Sequence, residues 1–142
     1  MQSMDLLTEE QLIWSPIVAN NSMNRKRSAS GVNSYEHEIG FKPEKYLDSR
    51  LERQECVKWL DLCCGEGNAL LQYATGALKM GRQARVVLLG IDLVDYFQPL
   101  PPAISCLKFQ TGSLVNWTSK EQYDLVICVH GLHYIGDKLK VL

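Results

Sequence analysis

The 142-residue chain carries 15 basic and 16 acidic side chains, and its net charge of -1 gives no basic field of the kind that nucleic-acid-binding proteins present. Hydrophobic residues make up 46% of the sequence and charged residues 22%, which is usual for one globular domain. No apolar run approaches the roughly 20 residues of a membrane span, and no signal peptide is visible. We therefore expect a globular domain with neither a membrane nor a nucleic acid as its partner.

The cysteine content indicates a reducing compartment. The number of cysteines is odd and no two form a C-x-x-C pair, so the sequence indicates neither a metal site nor a redox pair. Several lie in or beside apolar runs, where a reduced cysteine behaves as a small hydrophobic side chain. We therefore expect a cytoplasmic protein whose thiols are reduced; the cysteines are Cys56, Cys63, Cys64, Cys106 and Cys128.

The N-terminal part of the sequence is mostly polar. Residues 5–14 have the apolar spacing of a helix, and residues 19–34 are rich in Asn and Ser, which is typical of a loop. The basic triplet 25–27 is typical of a solvated segment. We predict that residues 1–42 form an N-terminal helix and a polar lid or linker, and that residues 43–142 form the main domain.

From residue 43 onward, strand patterns and helix patterns alternate. Continuous β-branched and leucine runs are typical of strands that are buried on both faces of a parallel sheet. Their alternation with helices predicts an α/β fold built from right-handed βαβ units. The predicted helices are 43–56 and 68–79, the latter capped by Gly81, and the predicted strands are 57–63, 85–91, 104–110 (weak) and 123–129.

A glycine turn joins the first predicted strand to the helix that follows it. Asp61 lies near the end of the strand, Gly65 and Gly67 form the turn, and the helix begins at Asn68. In open α/β sheets ligands bind at the carboxyl ends of the strands, where glycines permit a close backbone approach and a helix N-terminus presents N–H groups. This turn is therefore the predicted ligand site.

The residues around the turn distinguish between ligand classes. A dinucleotide site needs a third glycine where this chain has Leu70, and a P-loop needs Lys and Ser or Thr where Asn68 follows Gly67. An acid four residues before the first glycine would repel phosphate, whereas it suits a ligand with positive charge. The predicted ligand is therefore cationic.

The block VKWLDLCCGEGNALLQYA resembles motif I of the class I S-adenosylmethionine-dependent methyltransferases, hydrophobic-D/E-x-G-x-G-x-G. In this resemblance Asp61 is the motif acid, and Gly65 and Gly67 are the second and third glycines. Cys63 replaces the first glycine, which the motif tolerates if Cys63 has negative φ. S-adenosylmethionine carries a sulfonium and an ammonium group, in agreement with the cationic ligand predicted from the turn.

Three further blocks, GIDLVDYF, FQTGSLVNW and YDLVICVHGLHYI, resemble motifs II, III and IV in the family's order. The resemblance implies that Asp92 accepts the ribose hydroxyls, that Leu93 packs on the adenine, and that Ser113 takes the place of a carboxylate at the adenine edge. The implied S-adenosylmethionine-binding set is Asp61, Cys63, Gly65, Gly67, Asn68, Asp92, Leu93, Ser113, Leu114 and Val129.

The resemblance leaves the chemistry of methyl transfer open. His130 and His133 follow the fourth strand and are candidate general bases, with solvated side chains as the alternative. No N-P-P-Y-type tetrad follows the fourth strand, which argues against methylation of an adenine or glutamine amino group but not against small molecules or other protein sites; a small molecule is the expected acceptor. Asn33 and Tyr35 are candidates for a lid, because the family's N-terminal segment often folds over the cofactor; a solvated loop is the alternative.

The implied fold is a Rossmann-like three-layer α/β/α domain with a mostly parallel sheet, of which this chain supplies strands 1–4 of the usual seven. Its fourth strand is then an apolar edge through which the chain could self-associate. The implied function is S-adenosylmethionine-dependent methyl transfer, or the cofactor-binding fragment of such an enzyme. The alternatives are a non-catalytic S-adenosylmethionine-binding or interaction module and, disfavoured by Leu70, a nucleotide-dependent oxidoreductase.

Overall fold

The computed structural model describes residues 26–29, 34–113 and 118–128. Within these ranges no helix is both long enough and apolar enough to cross a bilayer. The elements are α1 (Tyr35–Ile39), α2 (Pro43–Leu51), β1 (Val57–Leu62), α3 (Asn68–Lys79), a 3-10 turn (Gln83–Arg85), β2 (Val86–Asp92), β3 (Leu107–Thr111) and β4 (Leu125–Ile127). The predicted helix 5–14, Asn33, Leu114, Val129, His130 and His133 lie outside the described residues.

The four strands form one parallel sheet in the order β3-β2-β1-β4. This order confirms the predicted Rossmann-like α/β fold. Asp61 of β1 lies between Gly90 of β2 and Ile127 of β4, so the carboxyl ends of these strands meet at one edge of the sheet. β4 is at the end of this order, and self-association through it remains a prediction.

The main core lies between the sheet and helices α2 and α3. Trp59 of β1 and Leu88 of β2 are at most 1% exposed and pack in one cluster with Leu47 of α2 and Leu70 of α3. The opposite face of the sheet holds a smaller buried cluster around Leu60. The described helices that pack against the sheet thus form one layer beside it, and the other helical layer of the expected α/β/α arrangement is not among the described residues.

Two predicted boundaries are wrong next to β1. Helix α2 ends at Leu51 rather than at residue 56, because the chain closes a turn there in which Arg53 N donates to Arg50 O at 3.0 Å. Strand β2 begins at Val86 rather than at Arg85, because Arg85 closes a 3-10 turn and its guanidinium donates to Leu51 O at 2.8 Å. The Arg85 side chain thus joins the end of α2 to the start of β2, a contact that local apolar periodicity does not encode.

The later strands are shorter than predicted or shifted. β3 begins at Leu107 instead of residue 104, because Ile104 N donates to Pro101 O and completes a turn. β4 begins at Leu125 instead of residue 123. β1 ends at Leu62, since residue 63 already belongs to the glycine turn.

The segment before residue 43 contains a short helix that was not predicted. Ser34 caps α1 by accepting a hydrogen bond from His37 N, and Gly40 ends it with φ 65°. Ala29 and Tyr35 are both 1% exposed and belong to the main core. Arg27 is 2% exposed, so the prediction of a solvated basic triplet is wrong at this residue. The predicted domain boundary after residue 42 stays a prediction, although these residues pack on the main domain.

Asp124→Ala should destabilise the fold by about 2 kcal/mol, because hydrogen bonds that involve a charged group are worth more than neutral ones. The Asp124 carboxylate accepts from Lys58 N at 2.7 Å, Gln54 Nε2 at 2.8 Å and Arg50 Nε at 3.2 Å, and so anchors the start of β4. Burial raises the pKa of Asp124, but the donors together lower it by more than burial raises it, so the pKa lies below its ordinary value. Urea denaturation would measure the loss. Glu121→Ala is the control, since its ion pair with Lys58 spans 3.9 Å between exposed side chains and should contribute little.

Candidate functional site

Backbone geometry defines the turn between β1 and α3. Cys63, Gly65 and Gly67 have φ of 62°, 64° and 80°, so every second residue is left-handed. Cys64 N donates to Ile91 O at 3.0 Å, and Gly67 N donates to Cys64 O at 3.1 Å. The expectation of negative φ at Cys63 is therefore wrong: this residue adopts the conformation that the motif's glycine would adopt without strain.

Cys63→Gly should be more stable than Cys63→Ala by about 1 kcal/mol, since both variants lack the thiol and only alanine is strained at positive φ. The Cys63 thiol shares a hydrogen bond with Cys128, and this contact, together with burial, raises the pKa of Cys63 far above its usual range. Comparing the two variants with each other cancels the loss of that contact. Equal urea midpoints would contradict the left-handed geometry.

Asp61 is the buried acid of the site. Its side chain is fully buried, and the Tyr35 hydroxyl donates to Oδ2 at 2.6 Å. Oδ1 is also buried and has no hydrogen-bond partner among the described residues. Burial raises the pKa of Asp61 to about 8, although the Tyr35 hydrogen bond and the charge of Arg27 lower it. An acceptor oxygen in such a place is costly unless a donor reaches it.

Asp92 joins the end of β2 to the turn. Its Oδ2 accepts from Gly65 N at 2.8 Å, its Oδ1 accepts from Val94 N at 3.3 Å, and its backbone oxygen accepts from Gly112 N at 3.0 Å. Its contact with Gly65 is one that sequence reasoning did not predict.

A stacked pair of aromatic side chains, Phe97 and Phe109, packs against the turn. A Cβ at Gly67 would lie 2.2 Å from Cε1 of Phe109, and Phe109 stacks on Phe97 with ring centroids 4.8 Å apart. Gly90 also lies near this ring, since its Cβ would lie 2.8 Å from Phe109 Cδ1. The sequence analysis did not predict a role for Phe109. Its only signal in the sequence was its position in β3, the strand that follows β2.

The structure brings most of the predicted cofactor-binding residues together. The turn is formed by Gly65 and Gly67, with Asp61 and Asp92 beside it. Leu93 follows Asp92 and is half-buried. Asn68 begins α3, where its amide donates to Lys26 O at 2.9 Å.

Ser113 is placed differently from the other predicted residues. It lies one residue beyond Gly112, whose N–H donates to Asp92, and therefore follows the same edge of the sheet. It also lines a cavity of about 1170 Å³ together with Lys108 of β3, and neither Asp61 nor Asp92 lines that cavity.

The parallel sheet and its glycine turn define a Rossmann-like α/β protein. The sequence matches no protein-family model, and no curated protein is significantly similar to it. The structure is similar to the crystal structure of YjhP from E. coli, with a TM-score of 0.44 and 21% sequence identity. The match covers 70% of this chain and 42% of YjhP, so the chain spans less than half of that protein. The fold assignment rests on the sheet itself.

Proposed function

We propose that this chain binds S-adenosylmethionine at the turn after β1 and takes part in methyl transfer from it to a small-molecule acceptor. The observation that carries the proposal is Oδ1 of Asp61, a buried carboxylate oxygen without a hydrogen-bond partner among the described residues. It lies at the carboxyl end of a parallel strand, where α/β proteins bind ligands. The ammonium group of the cofactor's methionine moiety is a donor of suitable charge for it.

The surrounding groups fit the same ligand. Asp92 lies at the same strand edge, where its carboxylate is the candidate acceptor for ribose hydroxyls, and α3 presents its first N–H groups beside the turn. Two carboxylates at one strand edge favour a ligand with positive charge and hydroxyl donors over a pyrophosphate. This chemistry supports S-adenosylmethionine over a dinucleotide.

The chain's contribution to the reaction is binding and alignment. When bound, S-adenosylmethionine supplies an electrophilic methyl group on a positively charged sulfur. The protein then has to hold that methyl group and the acceptor in line and exclude water. His130 and His133 remain the predicted candidates for a base.

Calorimetric titration with S-adenosylhomocysteine tests the binding site. We expect saturable binding by the wild type and a loss of about tenfold or more for Asp61→Asn and Asp92→Asn, because an asparagine cannot ionise beside the ligand's ammonium group and is a weaker acceptor for ribose hydroxyls. Asp48→Asn is the matched control, since Asp48 lies on α2 with a half-exposed side chain. Equal affinity for all four proteins, or no binding by a folded wild-type chain, would overturn the proposal. Binding of NAD instead would revive the oxidoreductase alternative.

Transfer of an isotope-labelled methyl group separates an enzyme from a binding module. Incubation of the chain with labelled S-adenosylmethionine and a panel of small nucleophiles should label an acceptor in the wild type and not in Asp61→Asn. Binding of S-adenosylhomocysteine without labelling of any acceptor would favour the non-catalytic module.

A further inference from the structure

Residues 26–29 and 34–40 place Arg27 and Tyr35 against Asp61, and together these two pieces of chain are called the latch below. Tyr35 of the latch is 1% exposed and donates its hydroxyl hydrogen to Asp61 Oδ2 at 2.6 Å. Arg27 of the latch is 2% exposed, and its guanidinium carbon lies 5.1 Å from the centroid of the Tyr35 ring. A cationic side chain is thus buried beside the acid that the sequence assigns to a cationic ligand.

Polar contacts hold the two pieces of the latch to each other. Tyr35 N donates to Ser28 O at 2.9 Å, and Glu36 N donates to Ala29 O at 3.2 Å. The two pieces therefore form one backbone-bonded unit.

The latch is attached to α3 through single hydrogen bonds. Asn68 Nδ2 donates to Lys26 O at 2.9 Å, and Ala29 N donates to Gln72 Oε1 at 3.0 Å. Side-chain contacts of this kind are weak individually, and the main cost of opening is the exposure of Ala29 and Tyr35, which pack in the main core.

The burial of Asp61 makes such a movement necessary. The acid is 0% exposed, so no ligand reaches Oδ1 while its covering groups stay in place. A ligand cation that approached Asp61 beside Arg27 would also place two like charges at one carboxylate, which is unfavourable in a buried site. Ligand binding and the closed position of Arg27 are therefore competing states.

We infer that the latch is autoinhibitory: it closes over Asp61 in the unliganded protein and has to release this acid before a cationic ligand binds. The inference rests on the proposed function for the identity of the ligand. The apparent dissociation constant then equals the intrinsic one divided by the open fraction. A variant that weakens the latch should bind ligand more tightly, not more weakly.

Trypsin cleavage after Arg27 reports the opening, because the protease needs this buried residue exposed. Mass spectrometry would follow the fragment that begins at Ser28. We expect saturating S-adenosylhomocysteine to speed this cleavage in the wild type. Tyr35→Phe should speed it by about tenfold without ligand and tighten S-adenosylhomocysteine binding by a similar factor, since one hydrogen bond to a carboxyl group is lost.

Tyr73→Phe is the matched control. Tyr73 also donates to an aspartate, Asp48 Oδ1 at 3.0 Å, but this pair joins α3 to α2 outside the latch. It should change neither cleavage after Arg27 nor ligand affinity. Arg27→Gln, in which the competing charge is gone, should also tighten binding and serves if Tyr35→Phe does not fold.

Three results would overturn the latch. The first is slower cleavage in the presence of S-adenosylhomocysteine, which would mean that the segment closes over bound ligand. The others are an unchanged cleavage rate in Tyr35→Phe and weaker ligand binding by Arg27→Gln. If S-adenosylhomocysteine binds no variant, the proposed ligand is wrong and the latch is judged by Tyr35→Phe alone. Faster cleavage then supports the latch, and unchanged cleavage overturns it.

Discussion

Asp61→Asn should stabilise the folded chain near pH 8 and flatten its dependence of stability on pH. Burial raises the pKa of Asp61 from the ordinary carboxyl value of 3.8 to about 8 in the folded protein. Between these values the folded protein holds a proton that the unfolded chain has lost, so stability is fully present below about pH 4 and decreases as the pH rises to about 8. Asparagine is a neutral isostere whose oxygen can still accept the Tyr35 hydroxyl hydrogen, and it has no such dependence.

The expected difference is large. A pKa change of this size corresponds to on the order of 5 kcal/mol of unfolding free energy between the two ends of the range. Urea denaturation of both proteins at several pH values between these ends measures it. Tyr35, Arg27, Cys128 and Asp92 are the groups that act on the charge of Asp61, and the substitution leaves them all in place, so the difference between the two proteins isolates Asp61.

Asp48→Asn is the matched control for the removal of a carboxyl group, since Asp48 lies on α2 with a half-exposed side chain. Parallel profiles for the wild type and Asp61→Asn would show that Asp61 is ionised in the folded protein. The stabilised variant should also be the one that loses S-adenosylhomocysteine. An acid kept at a cost to stability and needed for ligand binding is the pattern expected of a functional group rather than a structural one.

The parts of the fold with a local cause were predictable from sequence. Helix α3 runs from Asn68 to Lys79 as predicted, because its apolar spacing lies within the segment and two glycines lie at its ends, Gly67 before it and Gly81, with φ 66°, after it. Strand β1 also begins where predicted, at Val57, and ends one residue early, at Leu62. β3 is shifted by three residues at its start, since its register is set by pairing with Leu88 rather than by its own side chains.

The candidate site divides in the same way. Parallel topology carries Asp61 and Asp92 to one edge of the sheet, so their proximity followed from two strand patterns. The burial of Arg27 did not follow, because a basic triplet is hydrated unless a distant acid pairs with it. The Tyr35 hydroxyl donates to Asp61 across 26 residues of sequence, and the family resemblance alone drew attention to Tyr35. The positive φ of Cys63 is a property of the whole turn, which residue types do not specify.

Gly67→Ala should destabilise the protein by about 3 kcal/mol, through two additive effects. A left-handed alanine at φ 80° is strained, and its Cβ would lie 2.2 Å from the Phe109 ring. The ring cannot move away easily, because it stacks on Phe97 with an interplanar angle of 7°. Urea denaturation measures the change in unfolding free energy. Because of the clash, we also expect α3 to shift away from β3 in the variant.

Gly81→Ala separates the two effects. Gly81 has φ 66°, but a Cβ there meets nothing within 4 Å, so only the conformational strain of about 1 kcal/mol remains. In the double variant Gly67→Ala, Phe109→Ala the clash is absent, and we expect a coupling of about 1–2 kcal/mol between the two substitutions. Equal destabilisation by the two glycine variants, or additive behaviour of the double variant, would mean that Phe109 does not fill the space beneath the turn. Coupling would instead assign Gly67 two functions in the same fold: a left-handed start for α3 and room for the ring that supports the candidate ligand site.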